Sequence, residues 1–292
     1  MALLERILLP VDFSERSDGA ARYVEALADK TETEIFLVHI TTPLNYELSA
    51  LDVGGTVLNE LNADRTAELQ EQLDKFAAAE LQPYRVERHL FEGDPAKRIV
   101  EFAHERHISL IVMPTHGYGL FRRFLLGAVT AKVLHDAECP VWTGVHLDES
   151  PALDKIHFRK IVVGVDVVSI PQALRAISWA AQMAEREAAE MVIVHAYPSL
   201  EGRAGEYFDP NWRTYFTQTA NDEIMKMQRK LGTDAELVLE SGDPSQVVCN
   251  LAAARNADLL VIGRGSAAGV FGRLRANAYS IIRQSPCPVV SV

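Results

Sequence analysis

The feature that most constrains the fold is an internal duplication. Short segments of the first half recur in the same order in the second half, about 150 residues further on. The matching segments are 5–12 and 159–166, 35–39 and 191–195, 92–95 and 241–244, 110–114 and 259–263, and 139–141 and 287–289. The sequence therefore predicts two domains, 1–147 and 157–292, joined by the acidic, proline-containing stretch 147–151.

Each copy alternates buried strands with helices. Residues 3–11, 34–40 and 108–113 are apolar runs typical of buried strands, and segments with helical periodicity lie between them. This alternation predicts an α/β fold in which each domain is a doubly wound parallel sheet flanked by helices. Ligands of such sheets bind beyond the carboxyl ends of the strands, where the strand order reverses. Asp12 follows the first strand and the glycine-rich stretch 113–117 follows the fourth, so one pocket is expected if these strands are neighbours.

Composition limits the class of function. The formal net charge of -11 argues against a general nucleic-acid or anionic-membrane surface, because phosphate-rich partners are bound by clusters of Lys and Arg. The three cysteines, Cys139, Cys249 and Cys287, are too widely spaced for a disulfide framework or a zinc site. We find neither a signal-peptide pattern nor an apolar run long enough to span a membrane. A soluble cytoplasmic protein is therefore expected.

The stretch that follows the fourth strand carries the clearest chemical signal. Gly117 and Gly119 interrupt a loop, and Gly127 opens a segment with helical periodicity. A strand, a glycine loop and a helix start together present backbone N–H groups to a phosphate. The stretch is not a Walker A loop, since no Gly-Lys-Ser/Thr follows a glycine at the required distance, and it is not the dinucleotide-binding Gly-x-Gly-x-x-Gly. The alternative is a loop whose glycines serve only turns.

The spacing of Gly117 and Gly127, with nine residues between them, resembles the Gly-x2-Gly-x9-Gly-Ser/Thr signature of ATP-binding universal stress proteins. The segments 10–12, 38–39, 93–95 and 139–141 also resemble that family, and the resemblance extends over both copies. It implies a tandem two-domain member in which each domain is a five-stranded parallel sheet of strand order 3-2-1-4-5. It also implies ATP as the ligand, with magnesium left open. From the residues themselves we expect a homodimer without catalytic residues or metal ligands of its own.

The resemblance also implies a set of site residues. The end of the first strand and the residue after the second would meet adenine and ribose, and the glycine loop with the following helix would hold ribose and phosphates. The implied ATP-binding residues are Pro10, Val11, Asp12, Val38, Met113, His116, Gly117, Gly127, Ala128, Val129 and Thr130. Pro114 and Ala128 depart from the signature, since Pro114 replaces its first glycine and Ala128 its serine or threonine. We expect these two changes to weaken binding without abolishing it, because each removes a hydrogen-bond donor.

The second copy departs further from the signature. Ser266 stands in place of Gly117, and Ala276 and Tyr279 stand in place of Gly127 and Thr130. Side chains at close-approach positions obstruct phosphate oxygens, so we expect nucleotide in the first domain and a mainly structural second domain. The fifth strands, beginning at Val141 and Val289, would be exposed sheet edges and would form the homodimer contact.

Three functions remain open at this point. The first is a nucleotide-binding stress-response protein that acts as a sensor or adaptor and is not an enzyme. The second is a slow ATP hydrolase of the adenine-nucleotide α-hydrolase group, which would require a Ser-Gly-Gly-x-Asp-Ser loop or a His-x-Gly-His pair. Residues 12–17 read Asp-Phe-Ser-Glu-Arg-Ser and supply neither. The third is a dimeric scaffold that binds no nucleotide. We expect His39 and His195, at matching strand ends, to be structural.

Overall fold

The computed structural model describes residues 3–29, 32–42, 55–114, 126–144, 152–198, 212–264 and 276–292. The chain divides into two compact units. The first contains Met1–Pro140 and Leu147–Ile156, and the second contains Val141–His146 and His157–Val292. The stretch 147–151, which was expected to join the two domains, lies outside the described residues.

None of the helices in the described ranges is both long enough and apolar enough to cross a membrane.

The first unit contains four parallel strands in the order β3-β2-β1-β4. The strands are β1 (Arg6–Pro10), β2 (Glu34–Thr41), β3 (Arg85–Glu92) and β4 (Leu110–Pro114). The helices are α1 (Glu15–Leu27), α2 (Gly55–Lys75), α3 (Pro95–Glu105) and α4 (Ala128–Asp136). Beyond α4, the carbonyl of Pro140 accepts a hydrogen bond from the Ile111 N–H at 3.0 Å, so the chain returns alongside β4.

The second unit repeats this arrangement. Its strands are β5 (Val141–Gly144), β6 (Lys160–Gly164), β7 (Glu190–Tyr197), β8 (Glu236–Ser241), β9 (Leu259–Ile262) and β10 (Val289–Ser291). Its helices are α5 (Ile170–Glu187), α6 (Trp212–Leu231), α7 (Pro244–Ala254) and α8 (Ala276–Gln284). Strands β8-β7-β6-β9-β10 lie in that order and are parallel, which confirms the predicted order 3-2-1-4-5 for this copy.

The strand β5 corrects one expectation. It comes from the first sequence copy, yet it groups with the second unit and pairs antiparallel with β10. Val290 faces Trp142 in this ladder, and the Thr143 hydroxyl donates to the Val289 carbonyl at 3.3 Å. The prediction that both fifth strands are exposed edges available to another chain was therefore wrong, because each strand satisfies the other's backbone groups.

The predicted Gly-Asp-Pro turns position helices α3 and α7. Gly93 and Gly242 have φ of +135° and +150°, a region that residues with a side chain rarely adopt. Asp94 and Asp243 then cap the helices by accepting from backbone N–H groups, and a proline opens each first turn. The pKa of Asp243 lies below its ordinary value because its carboxylate accepts from the Ser245 hydroxyl and from backbone N–H groups. Helices α3 and α7 thus begin with the same aspartate cap and proline.

The cysteines serve packing in the second unit. Cys249 and Cys287 are buried, and burial raises the pKa of the Cys249 thiol to about 11 and that of Cys287 to about 12. Thiols with such pKa values are protonated at neutral pH and are poor nucleophiles. Cys139 is half-buried, and all three are free thiols.

Candidate functional site

The candidate site of the first unit lies where the strand order reverses. Strand β1 is hydrogen-bonded to β2 on one side and to β4 on the other, with Leu8 opposite both Phe36 and Ile111. The carboxyl ends of β1 and β4 therefore meet, as the sequence required for a single pocket. Pro10 is the last residue of β1, and Val11 and Asp12 follow it.

Asp12 is held in place by two serines. Its Oδ1 accepts from the Ser14 hydroxyl at 2.5 Å, from the Ser17 hydroxyl at 2.6 Å and from the Ser14 N–H at 3.1 Å. The Ser17 hydroxyl also accepts from the Asp12 N–H at 3.1 Å. Ser14 caps α1, so the start of this helix and the carboxylate share one network. The network fixes the orientation of a half-buried carboxylate at the strand end, where it can accept from a hydroxyl of a ligand.

Aromatic packing follows directly after Asp12. Phe13 adopts a left-handed backbone conformation with φ of 59°, which is uncommon for a residue with a bulky side chain. Its ring lies 4.5 Å from the His39 ring, centroid to centroid. His39 Nδ1 lies 2.7 Å from the Val11 carbonyl oxygen, which agrees with the structural role expected for this histidine. Strain of this kind persists where the surroundings enforce it, often at functional sites.

Val38 and Met113 are buried, whereas Asp12 is half-buried. Val38 lies within β2, is fully buried, and its carbonyl accepts from the Val11 N–H at 2.9 Å. Met113 lies within β4 and is only 4% exposed. These two residues therefore form the buried support of the site, and residues 39–41 continue β2 beyond Val38 to its carboxyl end.

The first turn of α4 supplies backbone donors. Gly127 precedes the helix with φ of -60° and ψ of 145° and has no side chain that could cap it. The Ala131 N–H donates to the Gly127 carbonyl at 2.8 Å, so the N–H groups of Ala128, Val129 and Thr130 have no acceptor inside the helix. Val129 is 36% exposed although it is apolar. A helix start without a side-chain cap suits an anion.

Thr130 connects this helix to the sheet. Its hydroxyl donates to the Pro114 carbonyl at 3.0 Å, and the residue is only 4% exposed. The first turn of α4 is thereby fixed at the carboxyl end of β4. The Thr130 side chain thus positions the helix start, and the contact with ribose or phosphate that the resemblance implies stays a prediction. His116 and Gly117 lie outside the described residues.

The described residues of the chain contain no group of three or more His, Cys, Asp or Glu side chains arranged to hold a metal ion.

The second unit repeats part of this geometry. His195 Nδ1 lies 3.0 Å from the Val165 carbonyl, and the Val165 N–H donates to the Val194 carbonyl at 2.9 Å, as in the first unit. Asp166 is exposed and accepts from the Val168 N–H at 3.0 Å. A cavity of about 570 Å³ opens at the carboxyl ends of β6, β7 and β9, and Arg264 forms part of its wall.

Sequence reasoning missed several residues of these sites. Arg264 was not predicted, although a charged residue two positions after a buried strand is a readable signal. The left-handed conformation of Phe13 has no such signal, because aromatic residues rarely adopt a positive φ. The contact of Ser17 with Asp12 could have been predicted, because a serine shortly after a strand-end aspartate is a common turn signal.

Comparison with known proteins agrees with the architecture. The family described as "Universal stress protein family" matches residues 4–143 and again residues 157–292. A universal stress protein of Mycolicibacterium smegmatis is 25% identical over 295 residues, covering 98% of this chain and 96% of the relative. One from Methanocaldococcus jannaschii is 30% identical over 139 residues, covering 48% of this chain and 81% of the relative.

Solved structures show the same fold. The crystal structure of a universal stress protein from Archaeoglobus fulgidus is similar with a TM-score of 0.68 at 25% identity, and the match covers 99% of this chain and 97% of that one. Both family matches and the full-length relatives follow the duplication read from the sequence. The chain belongs to the universal stress protein family and carries two tandem copies of its domain.

Proposed function

We propose that this chain is an adenine-nucleotide-binding regulatory protein that holds ATP in its first unit and acts as a sensor or adaptor, without turning the nucleotide over as an enzyme would. The observation that carries this proposal is the uncapped start of α4, which is fixed by Thr130 at the carboxyl end of β4. Three N–H groups without an intrahelical acceptor at a strand end are suited to phosphate oxygens.

The neighbouring groups fit the rest of such a ligand. Asp12 is oriented by Ser14 and Ser17 and can accept from a ribose hydroxyl. Val11, Val38 and Met113 give an apolar support of the kind a purine ring requires. The N–H groups of Ala128, Val129 and Thr130 would face the phosphates, and His116 and Gly117 belong to the loop that would complete the site. The phosphates of ATP are negatively charged and would accept hydrogen bonds from these N–H groups.

A binding role is favoured over catalysis by the chemistry of the described residues. Oδ1 of Asp12 is engaged by two hydroxyls and a backbone N–H, which suits a fixed acceptor better than a mobile base. Phosphoryl transfer uses a positioned base and acidic ligands for magnesium. A regulatory protein of this kind would signal by a shift in population between liganded and free states. We also propose a cytoplasmic homodimer, whose contact uses a surface other than the β5–β10 ladder.

Substitution of Gly127 by Val tests the assignment of this loop. The φ and ψ of Gly127 are accessible to valine, so the variant is expected to fold. A branched side chain beside the donors should abolish ATP binding in calorimetric titration. Ala131→Val, one turn further along α4, adds the same branched side chain away from the helix start and should keep the affinity of the parent. Unchanged ATP affinity in Gly127→Val would contradict the proposal.

An assay of ATP hydrolysis on the same protein samples tests the proposal that the chain is not an enzyme. With magnesium and ATP, turnover should stay far below the ordinary enzyme range of about 1 per second or more. A rate in that range which disappears in Asp12→Asn would establish a hydrolase instead.

A further inference from the structure

The second unit contains a cavity that the proposed nucleotide site does not explain. It has a volume of about 570 Å³ and lies at the carboxyl ends of β6, β7 and β9. Pockets of several hundred Å³ with mainly apolar walls are typical of small-molecule sites. The second copy lacks the glycines at the positions of Gly117 and Gly127, so its sequence disfavours a nucleotide here.

The walls of this cavity are mainly apolar. Tyr215, Phe216, Thr219 and Ala220 line it from α6, and their spacing places them along one side of that helix. Buried side chains such as Val248, Ile262 and Ile281 close it from the core side. A ligand that fills the cavity must therefore offer a largely apolar body.

Exposed apolar side chains are concentrated at this cavity. The described residues include six exposed large hydrophobic side chains, and three of them line it: Val168 at 87%, Tyr215 at 67% and Phe216 at 38% exposure. Phe216 meets Tyr215 edge-on at 5.9 Å and Trp212 at 6.1 Å, so the aromatic rings form one cluster. Covering such surface is favourable by about 25 cal/mol per Å² of apolar area, and exposed apolar side chains gathered at one cavity mark a binding surface.

One cationic side chain lies in the wall. Arg264 is only 3% exposed and is the sole Lys or Arg among the lining residues that the structure describes. Its main chain is fixed, because the Arg264 N–H donates to the Val292 carbonyl at 2.8 Å. A guanidinium carries five N–H donors, so it can hold a carboxylate and keep a protein partner at the same time. Asp166 is the acidic side chain among the lining residues. It is exposed to solvent, so its repulsion of a bound carboxylate is screened.

Gly263, which precedes Arg264, allows the chain to pass close to α5. A Cβ at Gly263 would lie 3.0 Å from the Gln172 carbonyl oxygen in the first turn of α5. The chain at the end of β9 therefore approaches α5 closely. Arg264, the residue after Gly263, lines the cavity. The first copy has Thr115 at the corresponding sequence position, so the arginine is a feature of the second copy alone.

We propose that the cavity of the second unit binds a small, ring-containing carboxylic acid whose apolar body contacts Phe216 and Tyr215 and whose carboxylate is bound by Arg264. A single buried cation matches one carboxylate, and the aromatic cluster matches a ring. This inference does not depend on the nucleotide proposal, because it concerns another unit and another ligand class.

The test compares two isosteric probes on the intact chain. 4-Butylbenzoate carries the carboxylate, and 4-butylbenzamide has the same shape without the charge. Calorimetry should show one benzoate per chain, bound at least tenfold more tightly than the amide, because charge-assisted hydrogen bonds are stronger than neutral ones. Trp212 belongs to the aromatic cluster, so its fluorescence should change with the same affinity.

Variants separate the roles of charge and apolar contact. Arg264→Gln should bring the benzoate down to the affinity of the amide, whereas Tyr215→Ala should weaken both probes by a similar factor. Leu61→Ala removes an apolar side chain of α2 that is 45% exposed, and should change neither affinity. Tyr215 is largely exposed, so its variant tests the site even if Arg264→Gln fails to fold.

Three results would overturn this inference. The first is a wild-type protein that binds the benzoate and the amide equally well or binds neither. The second is Tyr215→Ala with unchanged affinities. The third is ATP competing with the benzoate for the same site, which would make the cavity a second nucleotide site. Loss of ATP binding in Gly127→Val with intact benzoate binding would support both proposals separately.

Discussion

At the scale of single residues, Val129 gives a sharp test of phosphate binding at the start of α4. This position is 36% exposed in the first turn, where a negative charge favours the helix by about 0.3–1 kcal/mol. Val129→Asp should therefore leave stability unchanged or raise it, and should abolish ATP binding because like charges repel. Val129→Asn has the same shape without the charge and should retain binding. Thermal unfolding and titration calorimetry measure the two effects, and equal ATP affinities of the two variants would contradict phosphate at this helix start.

Asp243 gives a test based on pH. Its pKa is lowered in the folded protein, first by the Ser245 hydroxyl and then by the backbone N–H of Gln246. A lowered carboxyl pKa means that the stabilisation is present above the unfolded pKa, near 4, and is lost as the pH falls through the folded value. Asp243→Ala should cost about 1 kcal/mol at pH 7. The difference from wild type should shrink as the pH falls below about 4.

Tryptophan fluorescence can measure the stability of the unit that contains Asp243. The three tryptophans, Trp142, Trp179 and Trp212, all belong to the second unit, as Asp243 does. Urea unfolding monitored by fluorescence at a series of pH values therefore measures the stability of that unit. Asp234→Ala, at an exposed aspartate before β8, is the control and should behave like wild type. A cost of Asp243→Ala that does not change with pH would contradict capping by the carboxylate.

At the scale of secondary-structure elements, β5 belongs to one sequence copy and stabilises the unit built mainly from the other. Trp142 is fully buried in β5 and meets Phe158 edge-on at 5.3 Å. Trp142→Ala should destabilise the second unit by about 3–5 kcal/mol, the usual cost of removing a buried aromatic side chain. Hydrogen exchange should show lost protection in β9 and β10, and protection in β2 should be retained. Loss confined to β1 and β2 would contradict the assignment of β5 to the second unit.

The sequence predicted most of these elements for clear physical reasons. Apolar runs bounded by polar residues marked β1, β2 and β4, and the Gly-Asp-Pro turns marked the starts of α3 and α7. Ser14, a residue type that is favoured at helix starts, caps α1. Local signals of this kind are carried by residues close together in the chain, which is why they could be read without a structure.

The remaining features depend on contacts between distant residues. The pairing of β5 with β10 joins residues that lie almost half the chain apart, so no local pattern could reveal it. The burial of Val38 and the hydrogen bond from the Thr130 hydroxyl to the Pro114 carbonyl likewise follow from packing between distant residues. Arg264 could have been noticed as a charge after a buried strand, but its cavity is built from four helices and three strands.

At the scale of the whole molecule, duplication has produced two sites that have diverged. The shared framework is the strand order and the histidine at each second strand, whose Nδ1 lies within 3.0 Å of a backbone carbonyl. The differences concern the groups that would meet a ligand. The first unit has an uncapped glycine helix start, and the second has a buried arginine within apolar walls. Such a chain could combine two chemical signals in one polypeptide, with nucleotide bound in one unit and a carboxylic acid in the other.

The central claim is that adenine nucleotide binds to the first unit alone. The most direct measurement is the nucleotide stoichiometry of the intact chain, by native mass spectrometry and calorimetry, for wild type and for the Gly127→Val and Tyr215→Ala variants. We expect close to one ATP per chain in wild type, none in Gly127→Val and an unchanged value in Tyr215→Ala. Two equal ATP sites per chain, or ATP binding that survives in Gly127→Val and is lost in Tyr215→Ala, would contradict it.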